Sequence, residues 1–415
     1  MTKPLNSMPQ SPKPESVLFI CSYLTEDIVR ERGLPFLNLA GSNRSVRIAE
    51  ALRAAGAEVL MLSSATTMRQ KYTKEIFHQG REIQKGAIRV VFPWSVGLPF
   101  LGTLFEPLAL ALGVKQAFKT RRPTIVLLYN YYPAPLLAAL LSKYLFGAKM
   151  ILEIEDVYTP RIGDWFGRGD ARPIQQLVCW ILLRIGIAAC DSVVVPSRRF
   201  LSAARVHKKH TIVSGCIEVD RSAAGMQNNA GGPLMILVGG KLDDEQGLSL
   251  VIEAIDLVVK NRQLCQSLDF HFCGFTQNEK ELKDRLQALS MKGASVRYHG
   301  TVTLDEYRSL LSRSNVCVAM PNPGGRHAET NTPSKVYEYL AYGKAVITSD
   351  VGDFREIPAD AISLCDWDAV ALSLRLKEFA NDRESVRHMG ERAAELAAAE
   401  YAPAANGVRI LSSVQ

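Results

Sequence analysis

Short runs of β-branched and aromatic residues alternate with longer segments of 3.6-residue periodicity along the whole chain, and this alternation predicts a parallel α/β architecture. In the first half, strands are expected at 16–21, 57–63, 88–92, 124–129, 149–154 and 192–196, six parallel strands of one doubly wound domain. The periodicity lapses between Val206 and Pro233, where the run 223–233 is polar, glycine-rich and closed by proline, as linkers are. It restarts with strands at 234–238, 267–272, 295–299, 316–319, 345–348 and 361–364, a second Rossmann-like unit. Leu248, Val251, Ile252, Ile255 and Val258 line one face of an intervening helix. After Asp368 the chain reads as helix to Ala399, and Pro403 sets off a last short segment. The organisation expected is a disordered tail 1–15, an N-terminal domain 16–220 joined by the tail segment 403–415, a linker 221–233 and a C-terminal domain 234–402.

Composition narrows this picture. An apolar content of 47% over 415 residues supplies a core for each unit and excludes general disorder. The formal charge of +7 is compatible with an anionic ligand or an anionic surface and selects neither. Eight cysteines stand apart, with no C-x-x-C pair and several inside apolar runs. That pattern points to buried free thiols in a reducing, cytoplasmic setting rather than to disulfides or a zinc site. The first fifteen residues show no signal-peptide pattern, and no run reaches the length of a membrane span. Two apolar segments, 92–114 and 177–189, read first as core helices or loops, with interfacial membrane contact as the second reading.

Candidate chemistry concentrates in 328–350. Thr332 is a suitable N-cap, Pro333 suits a first helical position, and Gly343 is a natural stop, so a short helix is expected between them. Lys335 then lies in the first turn, where the helix dipole disfavours a cation unless an anion is present. The backbone N–H groups of Ser334, Lys335 and Val336 are placed to hold such an anion. Glu338 follows one turn deeper on the same face, either as a carboxylate for ribose hydroxyls or as half of a Lys–Glu surface pair. A second anion-prone element is the strand end Val238-Gly239-Gly240-Lys241, where the glycines allow close approach and the lysine adds charge. A third is the stretch 39–46, expected as a loop whose Ser42 or Asn43 caps the next helix, with Arg44 and Arg47 near its start. It lacks the dinucleotide fingerprint and reads equally as an ordinary capped helix. Asp366-Trp367-Asp368 is formally a D-x-D, but its place before a helix makes it an N-cap.

In this order the elements resemble the retaining GT-B glycosyltransferases of family 4. The resemblance rests on Gly240-Lys-Leu with Gly247, Cys273-Gly274, Tyr298-His-Gly300 with Val302, Asn315 to Pro321, and above all Pro333 to Asp350 with Gly352 and Glu356 behind it. It implies an α/β GT-B fold of two Rossmann-like doubly wound domains facing across a cleft. The nucleotide-diphosphate sugar donor would be bound mainly by the second domain. Lys241 stands at the family's diphosphate-binding arginine, the loop at Gly300 and Val302 would face the base, and Glu338 would hold the ribose. Lys241, Glu329 and Glu338 are thus the catalytic candidates, with Gly239, Gly240, Gly300, Val302, Thr330, Thr332, Ser334 and Lys335 on the donor side. The first domain would bind the acceptor, with Gly41, Ser42, Asn43 and Asp156 near the reacting centre, and the segment after Pro403 would cross back to it.

The chain departs from the family pattern in three places. The Glu329–Glu338 spacing is one residue longer than the family's, so either Thr330 takes the first glutamate's place or a bulge restores Glu329. Gln246 replaces a lysine, and Tyr129-Asn130-Tyr131 lacks the histidine often found there. Stabilising a departing diphosphate next to an oxocarbenium-like carbon asks for fixed positive groups, which Lys241, Lys335 and the helix start supply, so no cofactor or metal is expected beyond the donor itself. Retention is implied by the resemblance alone. The expected partners are the donor and a lipid-linked glycan acceptor, with peripheral contact at the inner face of a membrane and no nucleic acid. A sugar-nucleotide epimerase of the same fold and a non-catalytic GT-B scaffold are the alternatives.

Overall fold

The computed structural model describes residues 15–35, 39–66, 71–73, 75–98, 100–155, 157, 173–218, 232–325, 328 and 333–415. The chain divides into two compact units, Met1–Ile154 with Tyr158–Val193 and Gly407–Gln415, and Glu155–Val157 with Val194–Asn406. The expected tail 1–15, apart from Glu15, and most of the expected linker lie outside the described residues.

The first half runs β1 (Ser16–Cys21), α1 (Glu26–Glu31), α2 (Leu39–Ala54), β2 (Glu58–Ser63), β3 (Phe77–His78), β4 (Arg81–Lys85), β5 (Ile88–Phe92) and β6 (Ser95–Val96). It continues with α3 (Leu101–Thr120), β7 (Ile125–Tyr129), α4 (Pro133–Phe146), β8 (Lys149–Glu153), α5 (Pro173–Ala189), β9 (Ser192–Val195), α6 (Arg198–Ala204) and β10 (His210–Ile212). Eight of these strands form a sheet in the order β10-β9-β8-β7-β1-β2-β5-β4, and β3 pairs with β6 as a separate antiparallel ribbon. The six expected strands are present, but the sheet is larger than expected and not wholly parallel. β4 runs antiparallel on β5 at the edge. Its sequence, Arg-Glu-Ile-Gln-Lys, buries almost nothing, because an edge strand facing solvent needs no apolar alternation and charge there blocks edge pairing. Central β1 and β7, by contrast, are buried throughout or nearly so and read as continuous apolar runs.

The second half runs β11 (Leu234–Lys241), a 3₁₀ turn at Asp244–Gln246, α7 (Leu248–Val259), α8 (Arg262–Gln266), β12 (Leu268–Phe275), α9 (Glu279–Met291), β13 (Ser295–Tyr298) and α10 (Leu304–Arg313). Then come β14 (Val316–Ala319), α11 (Ser334–Ala341), β15 (Ala345–Thr348), β16 (Ser363–Leu364), α12 (Ala369–Asn381), α13 (Arg383–Leu396) and α14 (Pro403–Ser412). The sheet order is β13-β12-β11-β14-β15-β16, with every pair parallel. Strand order reverses at β11, whose neighbours β12 and β14 lead away on opposite sides. In such sheets the crevice beyond the carboxyl ends at the reversal is where ligands bind. The helix expected from Asp368 to Ala399 is broken at Asp382, whose carboxylate caps α13 through the Ser385 N–H at 2.9 Å. Asp368 caps α12 through the Ala371 N–H at 2.9 Å, as expected of the D-x-D. All eight cysteines are free and seven are buried.

The carboxyl-terminal helix is seated by a glycine. A Cβ on Gly407 would come within 2.6 Å of the Ala51 carbonyl carbon and 2.8 Å of the Ala55 side chain, both on or beside α2. The Ala51 backbone cannot step aside, so Gly407→Ala is expected to cost about 2 kcal/mol in urea unfolding. A loss under about 0.5 kcal/mol would mean that α14 is not held against α2.

Candidate active site

Four parts of the second unit converge on the reversal at β11. The register sets Gly239 beside Cys273 and Gly240 beside Gly274 at the carboxyl ends of β11 and β12. Gly274 (φ +137°) would, with a Cβ, press to 2.7 Å on the Gly240 carbonyl carbon, so the two strand ends touch backbone to backbone. The Gly274 N–H donates to the Gly300 carbonyl at 2.8 Å, tying in the loop after β13. Gly300 itself has φ +68°, and Val302 packs partly buried on the core beneath α11.

Helix α11 supplies the charged groups. The Lys335 ammonium donates to the Gly239 carbonyl, and its Cε and Cδ pass where a Gly240 Cβ would stand, at 2.6 and 2.7 Å. Gly240 has φ +96°, so glycine is required there twice, for the backbone and for the lysine lying over it. Burial pushes the Lys335 ammonium down to about 8, while Cys273, Asp243 and Glu338 partly offset it. Glu338 accepts a hydrogen bond from the Tyr307 hydroxyl of α10 at 3.2 Å. Burial holds the phenols of Tyr307 and Tyr339 well above their ordinary range, so Tyr307 stays a donor to Glu338. Burial likewise raises the Cys273 thiol to about 11, which keeps it protonated and unreactive beside Lys335.

Two expectations about this helix need correction. It starts at Ser334 with Pro333 in the cap position, backbone extended at φ −61° and ψ 100°, and no side chain caps it. The fixed φ of proline serves a cap as well as a first helical residue, and here ψ decides for the cap. The N–H of Val336 is occupied by the Pro333 carbonyl at 3.1 Å, so it is not among the groups open to an anion. Thr332, Glu329 and Thr330 lie outside the described residues.

Lys241 is more than half exposed and is bridged to Asp243, with Glu245 at 3.8 Å. The Asp243 hydrogen bond is the main cause of its raised pKa. Asp243 also caps the 3₁₀ turn through the Gln246 N–H at 3.0 Å, which carries the chain to Gly247 in the left-handed region. On the far side of the reversal, the Trp367 indole donates to the Met320 carbonyl at 2.9 Å and fixes the end of β14.

In the first unit the reversal lies at β1, between β2 and β7. Gly41, Ser42 and Asn43 are not in a loop but inside α2, which begins at Leu39, so neither Ser42 nor Asn43 is a cap. Ser42 is buried and its hydroxyl instead accepts from the Leu24 N–H at 3.0 Å, tying α2 to the segment after β1. Arg44 on α2 donates to Glu153 at 2.9 Å, and Glu153 is 1% exposed at the end of β8. Asp156 lies outside the described residues.

Residues 223–396 match the family described as glycosyl transferases group 1, and residues 41–208 match the glycosyl transferase 4-like domain. The chain belongs to the group 1 glycosyltransferases. No curated protein sequence matches this glycosyltransferase. Among solved structures it is similar to sucrose-phosphate synthase from Thermosynechococcus elongatus at 17% identity and TM-score 0.61, covering 96% of this chain and 98% of that one. Anabaena Alr3699/HepE in complex with UDP aligns at 12% identity and TM-score 0.59, covering 96% and 99%. The E. coli trehalose-6-phosphate structure bound with UDP-2-fluoro glucose aligns at 12% and 0.60, with 96% and 99% covered. At these identities the likeness concerns the fold, which is GT-B with two Rossmann-like domains.

Sequence reading of this glycosyltransferase missed Tyr307 as the partner of Glu338. Its one signal is the capping box, in which Thr303 and Glu306 cap each other and fix the rotation of α10. The buried lysine makes a test of the geometry that needs no substrate. Below pH 8 Lys335 is charged in both folded and unfolded chains, and its desolvation costs stability. Between 8 and the unfolded value of 10.5 the unfolded chain holds the proton that the folded chain has released, so stability rises with pH. Lys335→Met should therefore be more stable than the parent at neutral pH in urea unfolding, with the difference shrinking as pH approaches 10.5. A difference independent of pH would place the ammonium in solvent.

Proposed function

We propose that this glycosyltransferase moves a sugar from a nucleoside-diphosphate donor to an acceptor hydroxyl, with retention and without a divalent ion. The acceptor is a lipid-linked glycan in polysaccharide or glycolipid synthesis, reached at a membrane face. The observation carrying the donor site is the cluster at the β11 reversal, where two glycines bare the backbone and a desolvated lysine lies over them, with a glutamate one turn below. A diphosphate there takes the place of the Gly239 carbonyl as partner of Lys335. That exchange turns a costly buried cation into a compensated one. Lys241, exposed and held by Asp243, adds charge at the same strand end. Glu338, oriented by the Tyr307 hydroxyl, accepts from the ribose.

Lys335 and Lys241 stabilise the charge that grows on the leaving diphosphate as the sugar takes on oxocarbenium character. The leaving phosphate oxygen takes the acceptor proton, so no separate protein base is invoked. Glu329 or Thr330 completes the contact with the sugar hydroxyls. Gly300 and Val302 border the base, and Ser334 offers its N–H at the helix start. On the acceptor side Gly41, Ser42 and Asn43 take part as a rigid helix turn, with Asp156 as a further acceptor contact. UDP-sugars are the first donors to test, because similar structures hold UDP and a UDP-sugar.

Thermal unfolding with UDP-, GDP- and ADP-sugars tests this reading: a ligand at about 100 times its Kd adds about 2.7 kcal/mol of stability. Glu338→Ala should abolish the shift, and Tyr307→Phe should weaken donor affinity by about fivefold, the worth of one hydrogen bond. A diphosphate raises the Lys335 pKa, so binding takes up a proton and affinity falls as pH rises through 8. Donor turnover unchanged by Glu338→Ala and Lys335→Ala together would refute the assignment.

A further inference from the structure

Helices α3, α4 and α5 form one layer. α3 packs on α4 and α4 on α5, and the Phe118 and Phe146 rings stack at 4.4 Å across the first seam. α4 rests on β7 and β8, and α5 on β8, so the inner faces of the layer cover the sheet. The outer faces are unusual. On α3 the exposed positions Leu101, the pair Leu104 and Phe105, Leu108 and Leu112 recur every three to four residues, a single stripe over the first three turns. Leu104 is 69% exposed. Lys115 and Lys119 continue the same stripe through the last two turns.

The neighbouring helices repeat the pattern. α4 exposes Leu137, Tyr144 and Leu145, the last 70% exposed, and α5 exposes Leu177, Val178, Ile181 and Ile185. A solvent-facing stripe with this composition inverts the usual amphipathic arrangement, since each helix is apolar on both sides. Contiguous exposed apolar surface of this kind marks an interaction site.

Charge around the patch selects what covers it. From residue 90 to 152 six lysines and arginines stand against one acidic residue, Glu106, so this stretch carries five of the chain's seven net positive charges. Glu106 is turned inward, where it accepts from the Ser64 hydroxyl and burial raises its pKa. Lys143 is paired with Asp191, whereas no carboxylate among the described residues pairs with Lys115 or Lys119. A second copy of the chain would bring these lysines toward their own kind, which costs affinity. A protein partner requires about one hydrogen bond per 100–200 Å² of interface, and the outward stripe of α5 offers side chains with no donor or acceptor. A bilayer surface with anionic headgroups requires neither condition. It takes apolar side chains into the acyl boundary and pairs lysines that reach up from the same stripe. No helix of the described residues is long and apolar enough to cross a membrane, so the contact is one of lying on the surface.

From this placement we infer that the outer face of α3, α4 and α5 is the surface on which the protein sits against an anionic lipid bilayer. The inference extends the proposed use of a lipid-linked acceptor, but its test involves no donor. The full-length chain is floated with vesicles of phosphatidylcholine alone and of phosphatidylcholine with phosphatidylglycerol. Wild type should partition onto the phosphatidylglycerol vesicles, and less so as salt rises. Lys115→Glu with Lys119→Glu should lower that partition at least tenfold. Leu104→Glu with Leu108→Glu, and separately Ile181→Glu with Ile185→Glu, should abolish it. All these side chains are exposed or flank the stripe, so thermal unfolding midpoints and any UDP-sugar thermal shift should stay near wild type. Their retention separates failure of docking from failure of the donor-site reading. The inference is overturned if wild type ignores both vesicle types, if the glutamate variants float as wild type does, or if those variants turn a dimer into a monomer without changing flotation.

Discussion

A largely desolvated ammonium, hydrogen-bonded to a backbone carbonyl and sensed by Cys273, Asp243 and Glu338, organises the second unit. Lys335 lies over Gly240 and donates to the Gly239 carbonyl at the end of the central strand, and burial drives its pKa down to about 8. The apolar face of α11 fixes the lysine in this place. Val336, Tyr337, Tyr339 and Leu340 of α11 are all buried at 1% exposure or less, so the helix cannot rotate to free the lysine. The charge is thus held in readiness, and an incoming diphosphate would meet a group that loses little by changing partners.

The same constraint explains residues that have no charge. Gly240 and Gly274 are needed because the strand ends and the lysine share a space with no room for a Cβ. Tyr307 reaches Glu338 because the Thr303–Glu306 capping box sets where α10 begins, and with it the direction of the phenol. Trp367 holds the end of β14 from the opposite side. Site and fold are therefore coupled through helix starts and strand ends, where backbone groups are unsatisfied by the ladder.

Much of this was legible in the residues. The twelve expected strands are all present because central parallel strands are continuous apolar runs, and both sheets are built from them. The α11 helix was legible from the proline and glycine that bound it. Its start was misplaced by one residue, since proline restricts φ without deciding ψ. Polar edge strand β4 was invisible to an apolar criterion. Gly41-Ser42-Asn43 read as turn chemistry, yet the segment is helical, because the buried Ser42 finds its hydrogen bond across space at Leu24 rather than at its own backbone. Long-range partners such as Arg44 with Glu153, or Lys335 with Gly239, have no local signal at all: the destination of a long side chain is fixed by packing between segments distant in sequence.

We propose Lys335 as the anion-seeking group of a donor site built on the β11 strand end. A crystal structure of the protein with bound UDP decides this role. The terminal phosphate is expected within hydrogen-bonding distance of the Lys335 Nζ, with the Gly239 carbonyl released from that ammonium and the ribose hydroxyls on Glu338. UDP bound elsewhere, with Lys335 still on the Gly239 carbonyl and the Tyr307 hydroxyl still on Glu338, would overturn this role.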